Sequence, residues 1–301
     1  MVNSPSPIQM KRKRGIARYL VRYLLNTFFL LLVLLALGIL SFFIFPPFGN
    51  EPVARIVLVG ADEPETPGAA RRSDTIMLCA ARMNGTGATL LSIPRDARVR
   101  IPHHRGQQKI NAAFAYGKIP LLKETLADPD LLHADLPYFL IVDSKATRAI
   151  VDALGGVEVN VAHAMNYDDA WGKLHIHLKE GHQRLNGEQA VGFLRWRKNN
   201  HGDGGNSTDF ERTAHQRELL TGLSNEIRSP RGLLRLPALY MAFRANTQSN
   251  LNIRQLMMLA WCASRKTDSN VVPGQMRIIR GTSYVLCDWR KGREIWENAT
   301  R

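Results

Sequence analysis

The chain has 301 residues, of which 45% are hydrophobic and 22% charged, an ordinary globular composition with room for one or two domains. Its formal net charge of +14 favours an anionic partner, namely nucleic acid, an acidic membrane surface or an anionic substrate. Three cysteines are too few for a disulfide framework. Cys79 is expected to be a small buried hydrophobe, and Cys262 and Cys287 could pair in an oxidising compartment.

The N-terminal region combines a basic cluster with an almost wholly apolar segment, Tyr23 to Phe45. As a helix, this segment would span roughly 35 Å, enough to cross a hydrocarbon core of about 30 Å. A cleaved signal peptide is the alternative, but such peptides have shorter apolar cores and a small-residue cleavage site. The positive N-terminal flank predicts a cytoplasmic tail (1–22), a transmembrane anchor in the plasma membrane (23–45) and an extracytoplasmic domain (53–301). That location argues against a nucleic-acid partner.

After the anchor, Ala54 to Gly60 is an apolar run suited to a buried strand, and Asp62 follows at its C-terminal edge, where open α/β sheets usually place ligands. The stretch from Arg72 to Asp96 then predicts a β-hairpin about an Asn-Gly turn. In that hairpin Ala81 faces Ala88, and Asp74 comes level with Arg95 at the open end, with Asp96 one step beyond. The charged residues at this open end form either a functional site or a simple salt bridge.

The middle of the chain alternates apolar strand patterns with helical ones, which predicts an α/β fold. We expect strands at Tyr138–Val142, Val157–Val161 and His175–Leu178, and a polar loop that contains Tyr167, Asp168 and Asp169. The predicted helices are Lys109–Gly117, Leu121–Leu132, Ser144–Leu154 with Ser144 as its cap, and a run that follows Asn186 and ends at Trp196.

A second charged cluster surrounds a Gly/Asn-rich loop. Arg195 and Arg197 precede the loop, and Asp209 begins a predicted helix that runs to about Arg228. On this helix Arg212 and Gln216 are four residues apart and share a face. A helix N-terminus beside several arginines suits phosphate, whereas any single arginine here could simply be solvated.

Motifs in a fixed order give the chain a resemblance to a known family. They include Asp74-Thr75, Ser92-Ile-Pro-Arg95-Asp96, Lys109-Ile-Asn111, Gly155-Gly156, Arg195-Trp-Arg197 and Asp209-Phe-Glu-Arg212. Together they resemble the LytR-CpsA-Psr family of cell-envelope proteins from about Val53 to Asn298. The resemblance implies an α/β sandwich with a central mixed β-sheet, flanking helices and a deep apolar pocket.

The same resemblance implies an activity and its residues. Family members transfer a phosphate-linked glycan from a polyprenyl-pyrophosphate lipid to a hydroxyl of peptidoglycan or another envelope acceptor. Mg²⁺ would be bound by Asp62 and Asp74. The remaining implied site residues are Arg95, Arg195, Arg197, Asp209 and Arg212 around the diphosphate, with Asp96, Lys109, Asn111 and Gln216 on the substrate. This chain departs from the common pattern at His215, where arginine is usual, and at Glu211, where glycine is usual.

Several readings stay open at this point. Asp74 could bind metal or accept the proton of the acceptor hydroxyl. The same site could use water and act as a polyprenyl-pyrophosphate phosphatase, or the protein could bind lipid-linked glycan without turnover as a regulatory protein. A zinc hydrolase built on His175 and His177, or on His103 and His104, is the weakest alternative, because neither pair has a third ligand at a metal-binding spacing.

Overall fold

The protein is represented by a computed structural model that describes residues 22–23, 25–30, 32–34, 37–38, 46–61, 73–169, 174–196, 199–200, 209–263 and 265–301, with backbone alone for 174 and 209–213. The chain divides into two compact units, Met1–Asn50 and Glu51–Arg301. In the first unit, the described residues between 22 and 38 are helical. No helix within the described ranges has the length and apolarity that a membrane crossing requires. The predicted anchor falls partly outside those ranges and stays a prediction.

The second unit mixes strands and helices along its length. Its described strands are β1 Val53–Ala61, β2 Ser73–Arg82, β3 Gly87–Ile93, β4 Arg98–Arg100, β5 Gln107–Lys109, β6 Tyr138–Val142, β7 Val157–Val161, β8 Met165–Asp169, β9 Leu174–Leu178, β10 Gly181–Leu185, β11 Gln248–Ser249, β12 Lys266–Val271, β13 Gly274–Ile279 and β14 Thr282–Cys287. Its described helices are α1 Asn111–Ala127, α2 Ser144–Leu154, α3 Gly187–Arg195, α4 Asp209–Arg228, α5 Pro230–Asn246, α6 Ile253–Ala263 and α7 Trp289–Thr300.

Six strands form the central sheet in the order β11-β6-β1-β2-β3-β12. The β1–β6 and β3–β12 pairs are parallel, whereas β1–β2, β2–β3 and β6–β11 are antiparallel. The pairs β7–β10, β13–β14, β4–β5 and β8–β9 form two-stranded sheets. This arrangement confirms the predicted α/β fold with a central mixed sheet and flanking helices.

Two hydrophobic clusters stabilise the unit. The larger one joins the sheet to α1 and α7, with Leu78, Leu122 and Trp296 at 0–3% exposure. The smaller one lies among β7–β10, α3 and α4 and includes Val157 and Phe193. At about 25 cal/mol per Å² of buried apolar surface, these side chains supply the main favourable contribution to folding.

The predicted hairpin is confirmed in its register. Ala81 pairs with Ala88, and the ladder continues to Ile76 and Ile93, which carries its open end toward Asp74 and Arg95. The turn differs in detail, because Gly85 has φ +73° whereas Asn84 keeps a negative φ. The Asn84 side chain instead accepts hydrogen bonds from the backbone and hydroxyl of Thr86, at 3.0 and 2.7 Å.

Three local predictions were wrong: one helix start, one helix cap and one loop. Lys109 belongs to β5, where it pairs with Arg98, so the helix begins at Asn111. The cap of α2 is Asp143, whose carboxylate accepts from the backbone of Ala146 at 2.7 Å. The expected polar loop is strand β8, which pairs with β9 and places Tyr167 opposite Ile176.

The three cysteines are free, so Cys262 and Cys287 do not form a disulfide. Cys79 is buried as predicted, and burial raises the pKa of its thiol to about 12. Burial also raises the pKa of Cys287 to about 12. All of these thiols are therefore protonated and weakly nucleophilic at neutral pH.

Candidate functional site

A cavity of about 1610 Å³ opens between the central sheet and the helices that cover its second face. Leu58 and Leu140 line it from β1 and β6, and Phe243 and Leu256 line it from α5 and α6. Further apolar lining comes from α4 through Leu223. A cavity of this size and character can enclose a long hydrocarbon chain.

The polar end of this cavity is built on the open end of the β2–β3 hairpin. Arg95 and Asp74 form an ion pair there, and their side chains are 27% and 25% exposed. The buried Nε of Arg95 has no hydrogen-bond partner among the described residues. A buried donor without a partner costs about 1–3 kcal/mol, so an anion at this position would satisfy it.

A second ion pair lies beside the first. Lys109 Nζ is 2.9 Å from Asp96 Oδ1, with both side chains about one-quarter to one-third exposed (31% and 24%). The turn that carries Arg95 and Asp96 is attached to the start of α1, because the backbone N–H of Asn111 donates to the carbonyl of Arg95 at 3.2 Å. The two cations are thus held on a common backbone frame.

Helix α4 contributes Gln216, whose side chain donates to Thr75 Oγ1 at 2.9 Å. Thr75 lies opposite Gly60 on β1, where a Cβ would come within 2.9 Å of the Thr75 Cβ. Gly60 is therefore required for this close approach. The contact connects the polar end of the cavity to α4.

Arg195 is the last residue of α3 and lines the same cavity, with its side chain exposed. The chain beyond it is attached to β8 by two asparagines. Asn199 Oδ1 accepts from the Trp196 indole at 3.0 Å and from the Asn166 backbone at 2.8 Å, and Asn200 Nδ2 donates to the Asp168 carbonyl at 2.9 Å. These contacts tie the described residues on either side of positions 197 and 198 to each other and to β8.

Seven predicted site residues have described side chains, and all seven line this one cavity. They are Asp74, Arg95, Asp96, Lys109, Asn111, Arg195 and Gln216. Asp62 and Arg197 lie outside the described residues, as do the side chains of Asp209, Glu211 and Arg212. The individual roles of all these residues stay predictions.

His215 points away from the large cavity. It is buried, its ring centre lies 4.6 Å from that of Phe193 and 6.0 Å from that of Trp196, and it lines a separate pocket of about 250 Å³. His215 therefore takes part in the packing under α3.

The histidine pairs have other contacts. His175 and His177 approach the same carboxylate, Asp168, at 2.7 and 3.2 Å, and the hydrogen bond with His175 is the main reason that the pKa of Asp168 is lowered. His103 contacts Glu124 at 3.1 Å, and His104 stacks on Tyr116. Over the described part of the chain, no group of three or more His, Cys, Asp or Glu residues could hold a metal ion.

Sequence reasoning missed several lining residues. Tyr116 lines the cavity from α1, and Tyr167 and Asp169 line it from β8, where alternate residues share one face. Recognising β8 as a strand would have identified the last two. The lining from α5 and α6 was also missed. Its signal in the sequence was the high content of Leu, Met and Phe in α5 and of Leu and Met in α6.

The sequence is similar to those of known proteins over about two thirds of its length. It is 27% identical over 203 residues to the polyisoprenyl-teichoic acid–peptidoglycan teichoic acid transferase TagU of Bacillus licheniformis, over 67% of this chain and 61% of that protein. It is 30% identical over 207 residues to the regulatory protein MsrR of Staphylococcus aureus, over 68% and 58%. The chain thus spans about three-fifths of the length of these relatives.

A solved structure, TagT bound to LI-WTA, superimposes with a TM-score of 0.64 at 26% identity and covers 85% of this chain and 91% of that one. The model of the LytR_cpsA_psr family matches residues 49–301, which include the whole central sheet and the cavity. The chain therefore belongs to the LytR_cpsA_psr family.

Proposed function

We propose that the protein transfers a phosphate-linked glycopolymer from a polyprenyl-pyrophosphate lipid to a hydroxyl of peptidoglycan or another envelope polymer. The observation that carries the proposal is the meeting of an apolar cavity with a cluster of cations and carboxylates at one end. The hydrocarbon chain would occupy the apolar part, and the diphosphate would lie against Arg95, Lys109 and Arg195.

The cations suit a diphosphate in number and type. Arginine can donate two parallel hydrogen bonds to phosphate oxygens, and the buried Nε of Arg95 is a donor with no partner among the described residues. Lys109 adds a point charge. Phosphoryl transfer depends mainly on positioning and charge neutralisation, which this arrangement supplies.

Magnesium is the metal that we propose for the site. Mg²⁺ is commonly bound by one or two carboxylates together with substrate phosphates, so it does not need a complete cage of protein ligands. The Asp74 carboxylate at the cavity rim fits this requirement, and Asp62 would be its second ligand. When bound, the ion would neutralise charge on the phosphates.

The reaction that we propose forms one phosphorus–oxygen bond, breaks another and transfers one proton. The acceptor hydroxyl oxygen attacks the phosphorus that bears the glycan, and the bond from that phosphorus to the bridging oxygen breaks, which leaves polyprenyl phosphate. The hydroxyl proton passes to a general base, and accepting it is the alternative role for Asp74 to binding the metal. Arg95 neutralises charge on the diphosphate as the bond breaks.

We also propose that residues 23–45 anchor the protein in the plasma membrane, with residues 1–22 in the cytoplasm and residues 53–301 outside. In support, the described residues of the segment are helical and carry exposed apolar side chains, among them Phe28 at 60% and Phe29 at 68%. This topology would present the cavity to lipid-linked envelope precursors.

The relatives support this activity and also define the main alternative. TagU is named as a teichoic acid transferase to peptidoglycan, and TagT has been solved with LI-WTA bound. MsrR is named as a regulatory protein, which favours a binding role without turnover as the second candidate.

The test is a product assay with purified full-length protein, Mg²⁺ and a radiolabelled polyprenyl-pyrophosphate glycan, with and without peptidoglycan acceptor. Transfer predicts labelled acceptor and polyprenyl phosphate only when acceptor is present. Hydrolysis that releases free glycan phosphate at the same rate with and without acceptor would establish a phosphatase. Tight binding of the lipid without either product would establish a binding protein that does not turn the lipid over.

A further inference from the structure

Helix α5 leaves most of its side chains exposed. All 17 of its residues are described, and Gly232 is the one that is buried. Nevertheless the helix is rich in leucine and aromatic residues, and Leu234 and Met241 are 85% and 71% exposed. They are seven residues apart, so they lie on the same face of the helix.

The neighbouring helix α6 continues this apolar surface. Ile253, Met257 and Trp261 follow one another at intervals of four and are 39%, 57% and 52% exposed. The opposite side of α6 is packed through Met258 and Cys262. The exposed stripe is therefore a distinct face of a well-anchored helix.

This apolar face is continuous with the lining of the large cavity. Tyr240 on α5 and Met257 on α6 both line the cavity and remain exposed, at 37% and 57%. Leu234 and Met241 lie beyond the cavity lining on α5. The residues of α5 and α6 that line the cavity are all apolar apart from the Tyr240 hydroxyl, and apolar surface continues from them onto the protein exterior.

The charge of the same segment identifies the partner. From Ile227 to Thr267 the sequence contains no aspartate or glutamate but has seven basic residues. They are Arg228, Arg231, Arg235, Arg244, Arg254, Arg265 and Lys266. Arg265 also lies 4.3 Å from the ring centre of Trp261. Exposed Leu, Met, Trp and Tyr beside basic residues are typical of surfaces that enter the headgroup region of an anionic bilayer.

We propose that the α5–α6 face, defined as the exposed apolar residues Leu233, Leu234, Tyr240, Met241, Ile253, Met257 and Trp261 with their flanking arginines, docks on an anionic lipid bilayer. The cavity mouth then opens directly into the hydrocarbon region, so a prenyl chain reaches the site without crossing water. This contact is separate from the proposed N-terminal anchor. It also does not depend on turnover, because lipid contact is measured without any reaction.

The test reconstitutes the full-length protein in nanodiscs that contain phosphatidylglycerol and a phospholipid with a photoreactive acyl chain. Mass spectrometry then maps the adducts after illumination. We expect adducts in the peptides that span 233–241 and 253–261. The hairpin β13–β14 is the internal control, because Met276 and Ile278 are as exposed as the docking residues, at 68% and 76%, but lie outside the proposed face.

Matched double variants sharpen the result. Leu234→Gln with Met241→Gln should lower labelling of both helices at least fivefold, whereas Met276→Gln with Ile278→Gln should leave it unchanged. Because all four side chains are largely exposed, a thermal melt should show both variants folded. Equal labelling of the control hairpin would overturn the proposal.

Two further outcomes would also contradict it. Undiminished labelling in discs of phosphatidylcholine alone would show that the anionic surface is not the partner. Absence of adducts, together with a crosslinked dimer through α5, would show that a second copy of the chain covers the face. Because labelling does not require glycan transfer, failure of the transferase assay would leave this test intact.

Discussion

The two walls of the cavity are built in opposite ways. The sheet wall, formed by β1, β2 and β6, rests on the larger hydrophobic cluster, in which Val57 and Leu78 are at 0% exposure. The α5–α6 wall has its apolar side chains largely exposed. The sheet wall is thus stabilised by the protein itself, whereas the proposed bilayer contact would cover the helical wall.

The charged end of the cavity belongs to the stable wall. Asp74, Arg95 and Thr75 are all placed by the β2–β3 hairpin and by β1. Groups that must neutralise phosphate need fixed positions, and a packed sheet provides them. Groups that contact a hydrocarbon chain need no such precision.

The largest effect should come from removing core volume behind the sheet wall. Leu78→Ala should lower the free energy of unfolding by about 3 kcal/mol, because a fully buried leucine leaves a cavity. The matched change Leu234→Ala on α5 should cost less than about 0.5 kcal/mol. Denaturant titration in lipid-free solution checks both, and similar losses would contradict the contrast between the walls.

Next in size is the loss of the arginine at the charged end. If the proposed phosphate contact of Arg95 exists, Arg95→Ala should lower the rate of glycan transfer about 100-fold, or about 2.7 kcal/mol. Arg95→Lys should recover only part of the rate, since lysine cannot make the paired contact.

The control for that change is Arg100→Ala, which removes an exposed arginine of β4 that does not line the cavity. The assay is the initial rate of labelled acceptor formation. An Arg100 variant as impaired as the Arg95 variant would show that overall charge, and not the site, is responsible.

A smaller effect is expected where α5 meets α4. A Cβ at Gly232 would overlap the backbone carbonyl of Glu226, so Gly232→Ala must displace the start of α5. We expect a loss of about 1–2 kcal/mol in the free energy of unfolding. Ala238→Ser, at an exposed position of the same helix, is the control and should change stability by less than about 0.5 kcal/mol.

The smallest effect concerns pH and the β8–β9 hairpin. The pKa of Asp168 is lowered in the folded state, chiefly by its hydrogen bond with His175. Its contribution to stability is therefore present above the ordinary aspartate pKa of about 3.9 and is lost as pH falls through the lowered value.

Hydrogen exchange of the β8–β9 backbone measures this effect. Exchange should increase on going from pH 5 to pH 3 beyond the intrinsic pH dependence, and Asp168→Asn should remove that extra increase. A hairpin that opens equally in both proteins would contradict the role assigned to Asp168.

Local signals in the sequence were sufficient for part of this structure. The Asn84-Gly85 pair predicts the hairpin register because a tight turn sets the pairing of both strands. The register in turn predicts the meeting of Asp74 and Arg95, although they are 21 residues apart. The glycine break after Leu154 was predicted for the same local reason, and Gly155 has φ +75°.

Other parts depended on contacts that local patterns do not show. Strand β8 has polar residues such as Asn166 and Asp168, and its pairing is supported by side-chain contacts with Asn199, Asn200 and the histidines of β9. The cavity arises where α5 and α6 cover β1 and β2, which are more than 140 residues earlier in the sequence. Its existence was expected from the family resemblance, and its polar end from the hairpin, but the exposed apolar face of α5 was not foreseen.

The bend in α1 has a further consequence. Gly117 and Lys118 leave helical geometry, and Pro120 has no N–H to donate to the carbonyl of Tyr116, so the helix is interrupted at this point. Its first turns, with Asn111 and Tyr116, line the cavity, whereas its later turns, with Leu122, enter the core. The two halves of α1 are thus separated by a kink. A substitution that shifts the half packed in the core need not shift the half that lines the cavity.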